Sequence, residues 1–132
     1  MTKPKFLSAV LIAVAIPPLL GDRGQLQQVF LNLITNAIEA MGTSRARMLR
    51  VSSDTIQQSS GVMVTIEDSG TGIKYEDKDT IFEPFFTTKT DGTGIGLAIC
   101  RSIVEAHGGT LAAFANKPYG TIFRVALPDR DL

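Results

Sequence analysis

Hydrophobic residues follow a helical period in two stretches of this chain. From about Gly24 to Met41 they recur at spacings of three and four, which predicts a helix that Gly42 ends. A second helix is predicted from about Gly94 to His107, with Gly108-Gly109 as its stop signal. The apolar positions of the first helix are Leu26, Val29, Phe30, Leu33, Ile34, Ala37, Ile38 and Met41.

Other segments alternate between apolar and polar residues, as β-strands do. The alternation is clear in Val62–Glu67, and a further strand is predicted over Met48–Thr55. Thr110–Ala115 and Thr121–Leu127 flank a turn-forming sequence and predict a hairpin, while residues 68–94 are irregular with a short helical stretch near Lys74–Phe82. This order predicts an α+β fold: a two-layer sandwich in which helices cover one face of a mixed, mostly antiparallel sheet.

The apolar run at residues 6–20 has some features of a secretion signal. Two lysines precede it, and Ala13-Val14-Ala15 resembles a cleavage site. The run is too short to span a bilayer, and Pro17-Pro18 interrupts it. We therefore predict a buried strand from Lys5 to about Ala15, followed by an extended turn, within a single domain of residues 1–132.

Composition excludes several classes of function. Lys plus Arg and Asp plus Glu number 13 each among 132 residues, and the zero net charge argues against a general nucleic-acid binder. The single cysteine, Cys100, excludes an internal disulfide and suits a reducing cytoplasm. The single histidine, His107, excludes zinc sites built from histidine clusters.

The first helix carries a polar stripe formed by Gln28, Asn32, Asn36 and Glu39. Spacings of four, four and three place these side chains on one helical face. Asparagine is a poor residue for a helix interior, so two of them one turn apart need a reason. A solvated face is one explanation. The other is that amide oxygens bind a hard cation such as Mg²⁺ while amide nitrogens donate to phosphate oxygens.

A carboxylate and two glycines follow the alternating strand in the sequence Asp68-Ser69-Gly70-Thr71-Gly72. An ionised carboxylate only accepts hydrogen bonds, so it suits the exocyclic amine of adenine and not the carbonyl that guanine has there. An ordinary Asp-Gly turn explains the same residues.

A second glycine-rich segment, Gly92–Leu97, opens the second helix, where unpaired backbone N–H groups favour phosphate. It is neither a P-loop nor a dinucleotide fingerprint, because it has no Gly-Lys-Ser/Thr and no strand immediately before it. Lys89 adds a positive charge upstream. Phe82, Phe85 and Phe86 either belong to a hinged flap over a nucleotide or fill the edge of the core.

These four motifs, in this order, resemble the catalytic domain of sensor histidine kinases. That domain belongs to a superfamily that includes DNA gyrase, the Hsp90 chaperones and the MutL repair proteins. Gln28–Met41 resembles its asparagine box, Asp68–Gly72 its first glycine box, Phe82–Phe86 its phenylalanine box and Gly92–Leu97 its second glycine box. The resemblance covers roughly Gly21–Pro128.

The resemblance implies ATP and Mg²⁺ as cofactors and assigns roles to individual residues. Asn36 matches the Mg²⁺ ligand, Asp68 the carboxylate that reads adenine, and Thr121 a threonine that supports it. Asn32, Asn36 and Lys89 are the implied catalytic residues. The implied nucleotide-binding set is Asn32, Asn36, Glu39, Ala40, Asp68, Gly70, Gly72, Ile73, Phe86, Thr87, Lys89, Gly92, Thr93, Gly94, Ile95, Gly96, Leu97 and Thr121.

Asn32 distinguishes between branches of the superfamily. The hydrolases and the anti-sigma serine kinases usually have a glutamate there as general base, and an asparagine side chain cannot take a proton. A neutral imidazole is already a nucleophile, so Asn32 favours phosphotransfer to histidine. The alternatives are an ATPase or serine kinase that uses Glu39, and a nucleotide-binding module without catalysis.

The acceptor histidine of the family lies on a separate dimerisation domain, which is absent from this chain. His107 is expected to be structural, at a helix end. The resemblance implies the dimerisation domain as a direct partner and a response regulator as an indirect one, without nucleic-acid or membrane contact. We expect a cytoplasmic domain that is monomeric when isolated.

Overall fold

The computed structural model describes residues 8–12, 23–42, 47–56, 61–84 and 96–128. Its helices and strands lie within one or two residues of the predicted ones wherever both are described. The elements are strand β1 (Ser8–Ile12), helix α1 (Arg23–Met41), strands β2 (Met48–Ile56) and β3 (Gly61–Asp68), helix α2 (Gly96–Ala106), and strands β4 (Thr110–Ala115) and β5 (Thr121–Leu127).

Two predicted segments differ in detail. The short helical stretch near Lys74–Phe82 consists of two single 3-10 turns, Tyr75–Asp77 and Thr80–Phe82. The strand predicted over Lys5–Ala15 is described only as β1, and its remaining residues lie outside the described part of the chain.

The five strands form one mixed sheet in the order β1-β2-β3-β5-β4. β1 runs parallel to β2, and the remaining pairs are antiparallel. In the centre, Ile66 of β3 lies opposite Val51 on one side and Phe123 on the other. The mixed, mostly antiparallel sheet expected from the sequence is confirmed.

The helices cover one face of this sheet and complete the two-layer α+β sandwich. α1 packs against α2 and β3, and α2 packs against β4. The face of α1 formed by Val29, Leu33, Ala37 and Met41 is buried in the common core. Ile38, which follows the same apolar period, is 43% exposed, because the buried stripe is narrower than the hydrophobic pattern.

Glycines end both helices as expected. Gly42 after α1 has a φ of 44°, and Gly108 after α2 has a φ of 78°. The Gly109 N–H donates to the Val104 carbonyl over 2.9 Å, which closes the last turn of α2. His107 Nδ1 lies 2.8 Å from the Ile103 carbonyl oxygen, in agreement with a structural role at the helix end. Among the described residues, no helix combines the length and apolar character needed to cross a membrane.

Candidate functional site

Asp68 is the last residue of β3, and its carboxylate is buried where the strand leaves the sheet. The residue is 2% exposed. Oδ1 accepts the backbone N–H of Gly70 over 2.8 Å and that of Thr121 over 3.3 Å. The support from Thr121 therefore comes from its backbone amide, which any residue except proline offers at this position.

The other carboxylate oxygen, Oδ2, is buried without a hydrogen-bond partner among the described residues. Burial raises the pKa of Asp68, although the hydrogen bonds from Gly70 and Thr121 partly oppose the shift. A buried acceptor without a partner is unfavourable by about 1–3 kcal/mol, which marks the atom as one that a ligand donor would satisfy.

Strand β2 and the turn between β4 and β5 hold the end of β3 in place. Ser69 N donates to the Met48 carbonyl over 3.1 Å, and Met48 N donates to Ser69 Oγ over 2.8 Å, which ties β3 to the start of β2. The Asn116 side chain, in the hairpin turn between β4 and β5, donates from Nδ2 to the Asp68 carbonyl over 3.0 Å. Gly120 lies so close to the Asp68 carbonyl that no side chain fits there, and its φ of 112° also favours glycine.

The segment after Asp68 contacts the C-terminal end of α1. The Thr71 N–H donates to the Ala40 carbonyl over 3.2 Å. A Cβ added at Gly70 would lie 2.5 Å from the same carbonyl oxygen, so only glycine allows this approach. Ala40 lies one helical turn after Asn36 on the same face, and this contact brings the Asp68 segment next to the polar stripe.

The stripe itself lies at the border between core and solvent. Asn32, Asn36 and Ala40 are half-buried, whereas Gln28 and Glu39 are exposed. A fully solvated face would leave the asparagines exposed as well. Their intermediate burial agrees with side chains that line the edge of a cleft.

The other end of the stripe packs against α2. Cys100 is completely buried, and its Sγ donates to the Val29 carbonyl over 3.7 Å. Burial raises the pKa of the Cys100 thiol, and a hydrogen bond with the Asn32 side chain opposes that shift. α2 therefore lies beside the first half of the stripe, and Cys100 is a packed core residue next to a candidate site residue, Asn32.

α1 thus connects two parts of the site. The Asp68 segment contacts it at Ala40, and α2 contacts it near Val29 and Asn32. Residues 32 and 40 lie about 12 Å apart along the helix axis at about 1.5 Å per residue. Asn36 lies between the two contact regions. An extended ligand that contacts both regions passes over Asn36.

Some of the remaining candidate residues lie in the described part of the chain, and the others lie outside it. Gly72 and Ile73 follow Asp68, with Ile73 packed against the core, and Gly96 and Leu97 open α2, with Leu97 packed against the core. The other candidates lie outside the described residues: Phe86, Thr87, Lys89, Gly92, Thr93, Gly94 and Ile95.

Phe82, the first aromatic of the predicted flap motif, is a core residue with 5% exposure. The explanation that the aromatics fill a core edge therefore holds for Phe82. Phe85 and Phe86 lie outside the described residues.

Two residues that hold the site are not predicted from the sequence. The local pattern places Ser69 in a glycine-rich motif and Asn116 in a hairpin turn. Both act through contacts with residues distant in the chain: Ser69 with Met48, and Asn116 with Asp68. The only local indication is the amide side chain of Asn116 at the start of the turn. Asparagine is common in turns, so its presence there does not by itself predict a contact with Asp68.

Residues 21–131 match the model of the family described as histidine kinase-, DNA gyrase B- and HSP90-like ATPases. The chain belongs to this family. It is thus an ATP-binding domain, and the buried Asp68 and the asparagine stripe lie in the fold that the family shares.

The related proteins and structures are sensor histidine kinases. The domain is 45% identical over 112 residues to sensor protein FixL of Bradyrhizobium diazoefficiens, a match that covers 85% of the chain and 22% of FixL. It is 41% identical over 113 residues to sensor histidine kinase ZraS of Escherichia coli strain K12, covering 86% of the chain and 23% of ZraS. The domain thus spans about a fifth of the length of these relatives.

The fold also matches solved histidine kinase structures. The nucleotide-free catalytic domain of histidine kinase ThkA aligns with a TM-score of 0.79 and 34% identity, over 93% of this chain and 80% of that one. A second ThkA structure, in complex with the response regulator protein TrrA, aligns with a TM-score of 0.72 and 33% identity, over 92% of this chain and 34% of that one. The resemblance to histidine kinase catalytic domains drawn from the sequence is confirmed.

Replacing Gly70 by alanine should separate the Asp68 segment from α1. The new methyl group would collide with backbone atoms of Ala40, which do not yield as a flexible side chain would. We expect the free energy of unfolding to fall by about 1–3 kcal/mol in urea titrations followed by circular dichroism. Gly96→Ala is the matched control because a Cβ there meets no atom within 4 Å, and it should change stability by less than about 0.5 kcal/mol. Equal effects of the two changes would contradict the close approach.

The buried carboxylate should make stability depend on pH. The folded-state pKa of Asp68 is raised, so the folded state holds its proton at pH values where the unfolded chain has released it. Wild-type stability relative to Asp68→Asn should therefore fall as pH rises from the ordinary carboxyl pKa through the raised one, and then remain constant. Urea unfolding of both proteins from pH 3.5 to pH 8 measures this difference in the free energy of unfolding. If the two free energies change in parallel with pH, burial does not raise the pKa of Asp68.

Proposed function

We propose that this domain binds Mg·ATP and transfers the γ-phosphoryl group to a histidine on a separate dimerisation domain. The observation that carries the proposal is the buried Oδ2 of Asp68, which has no hydrogen-bond partner among the described residues. It lies on a segment that packs against α1 one turn from Asn36. At the other end of the stripe, α2 packs against α1 through the contact of Cys100 with the Val29 carbonyl.

Adenine fits the Asp68 end of the site. Its exocyclic amine donates a hydrogen bond, and Oδ2 is a buried acceptor that receives none from the described residues. Guanine has a carbonyl at that position and would bring two acceptors together. Since Oδ1 is already occupied by Gly70 and Thr121, the carboxylate is held in orientation before any ligand binds.

The middle of the stripe fits a hard cation. Mg²⁺ prefers oxygen ligands and usually retains waters and substrate phosphates, so a single amide oxygen from Asn36 is a sufficient protein ligand. Asn32, one turn earlier, would contact the phosphates beside the metal. When bound, Mg²⁺ would neutralise charge on the phosphates. Glu39 and Ala40 follow Asn36 on the same helix, and we assign them to the nucleotide-binding residues.

The phosphates fit the start of α2. Gly96 is exposed, with open space where a side chain would be, and the first N–H groups of a helix favour anions. Gly92, Thr93, Gly94, Ile95 and Leu97 would add to this phosphate-binding end, and Phe86, Thr87 and Lys89 would also contribute to nucleotide binding. We assign Gly72, Ile73 and Thr121 to the adenine end, together with Asp68.

The proposed phosphoryl transfer depends more on the positioning of ATP and the acceptor histidine than on a general base. A neutral imidazole nitrogen of the acceptor histidine attacks the γ-phosphorus, the bond to the β,γ-bridging oxygen breaks, and ADP leaves with that electron pair. Asn32 stands where a hydrolase of this family would need a group that takes a proton from water, and its amide cannot do so. Among the described residues of the stripe, Glu39 is the only carboxylate.

The partners follow from the same proposal. The relatives are sensor kinases, and ThkA has been solved with a response regulator protein. We propose a histidine-bearing dimerisation domain as the direct partner and a response regulator as the receiver of the phosphoryl group. The proposed setting is the cytoplasm, which agrees with the unpaired Cys100.

Titration calorimetry with ATP and GTP, each with and without Mg²⁺, tests the nucleotide site. We expect ATP to bind more tightly than GTP by at least about fivefold, because a mismatched buried acceptor costs about 1–3 kcal/mol. Asp68→Ala should abolish this preference. Asn36→Ala should retain Mg²⁺-free binding of ATP and lose the Mg²⁺-dependent increase. Equal affinity of the wild-type domain for the two nucleotides would refute the assignment of Asp68.

Phosphotransfer is tested by incubating the domain with radiolabelled ATP, Mg²⁺ and its cognate dimerisation domain. We expect an acid-labile, base-stable phosphohistidine on the partner, reduced at least about tenfold by Asn36→Ala. Release of inorganic phosphate by the isolated domain, abolished in Glu39→Gln, would instead support an ATPase. Tight ATP binding with neither product would leave a nucleotide-binding module without catalysis and overturn the kinase proposal.

A further inference from the structure

The pairing of β3 with β5 stops one residue short of Asp68. Its last pair is Glu67 with Ile122. The backbone N–H of Thr121, the next residue on β5, donates to the Asp68 carboxylate at Oδ1 over 3.3 Å. Asp68 is 2% exposed, and a backbone carbonyl at such a position is rarely left unpaired. The Asp68 carbonyl therefore needs a donor from elsewhere in the fold.

Asn116, in the turn between β4 and β5, is that donor. Its Nδ2 donates to the Asp68 carbonyl over 3.0 Å, and its Oδ1 accepts the backbone N–H of Lys117 over 2.9 Å. Its own N–H donates to the Gly120 carbonyl over 3.0 Å. The two side-chain bonds fix the orientation of the amide, because exchanging Oδ1 and Nδ2 would place two acceptors together at Asp68 and two donors together at Lys117.

The peptide group between Asp68 and Ser69 is held from both sides. Asn116 donates to its carbonyl, and its N–H donates to the Met48 carbonyl over 3.1 Å. The Cα of Asp68 lies in the plane of this peptide group, so the plane sets the direction in which the carboxylate extends. The Gly70 N–H, which bonds Oδ1 over 2.8 Å, follows directly after it. A tilt of the plane would move both the carboxylate and one of its donors.

We propose that Asn116 is a positioning residue for purine selection, and that it acts by holding the backbone of Asp68 so that Oδ2 keeps its orientation. This inference rests on the proposed function, since it takes Asp68 as the group that binds the exocyclic amine of adenine. The competing explanation is that Asn116 only stabilises the turn by accepting the Lys117 N–H, as asparagine does in many turns.

Substitution of Asn116 by aspartate separates these two roles. Asn116→Asp keeps an oxygen that accepts the Lys117 N–H and replaces the donor to Asp68 by an acceptor, whereas Asn116→Ala removes both groups. We expect the preference for ATP over GTP, measured by titration calorimetry, to fall at least about twofold in Asn116→Ala, which corresponds to the loss of one hydrogen bond. It should fall at least as far in Asn116→Asp.

The ratio of the two affinities makes this comparison independent of the charge that Asn116→Asp adds. ATP and GTP carry the same triphosphate, so repulsion between the phosphates and the new carboxylate weakens both equally. Lys117→Ala is the matched control, since it changes the next side chain in the same turn and keeps the N–H that bonds Oδ1. It should retain the wild-type preference.

Circular dichroism and urea unfolding establish which variants are folded, and either Asn116 variant decides the question if the other does not fold. A folded variant that keeps the wild-type preference for ATP, even at lower stability, would show that Asn116 serves the turn alone and would overturn the proposal.

The outcome for the wild-type domain separates this proposal from the one on which it rests. If the wild type binds neither nucleotide, or binds both equally, the assignment of Asp68 in the proposed function fails. If the wild type prefers ATP and the Asn116 variants do so to the same extent, only the role of Asn116 fails.

Discussion

The site depends on a carboxylate buried with only one of its oxygens satisfied. Asp68 Oδ1 accepts two backbone N–H groups, while Oδ2 has no partner among the described residues. The unsatisfied oxygen is unfavourable in the free domain, and the rest of the fold must stabilise it. In the proposed function, this arrangement keeps an oriented acceptor ready for the exocyclic amine of adenine.

Hydrogen bonds from the neighbouring elements hold the segment that carries this carboxylate in place. β2 is tied to the segment through Ser69, β5 through the Thr121 amide, the hairpin turn through Asn116, and α1 through Ala40. Each hydrogen bond alone contributes about 0.5–1.5 kcal/mol. Together they prevent the carboxylate from rotating into solvent.

The two helices form the part of the candidate site that lies beyond the Asp68 segment. α1 presents its asparagines between the Asp68 segment at one end and α2 at the other, where Cys100 contacts the Val29 carbonyl. Arg101, the residue after Cys100, contacts Phe82 and through it Phe123. α2 is thus packed on one side against the asparagine stripe and on the other against the residues that lead to the glycine-rich segment.

Local patterns were enough to predict much of this molecule. The period of apolar residues located α1 and α2, strand alternation located β3 and the hairpin, and glycines after both helices ended them as expected, because these features depend on neighbours within a few residues. Asp68 is a candidate site residue from the sequence because a carboxylate followed by two glycines ends a strand, and Asn32 and Asn36 are candidates because asparagine is unusual in a helix interior.

Only the tertiary structure decided that Oδ2 of Asp68 has no partner among the described residues, that the Thr121 amide donates to Oδ1, and that Ser69 and Asn116 hold the strand end. It also showed Ile38 exposed and placed Phe82 in the core under Arg101. These contacts join residues between 19 and 53 positions apart, such as Arg101 with Phe82 and Thr121 with Asp68. Their energies depend on distances across the packed layers, which no periodicity along the chain encodes.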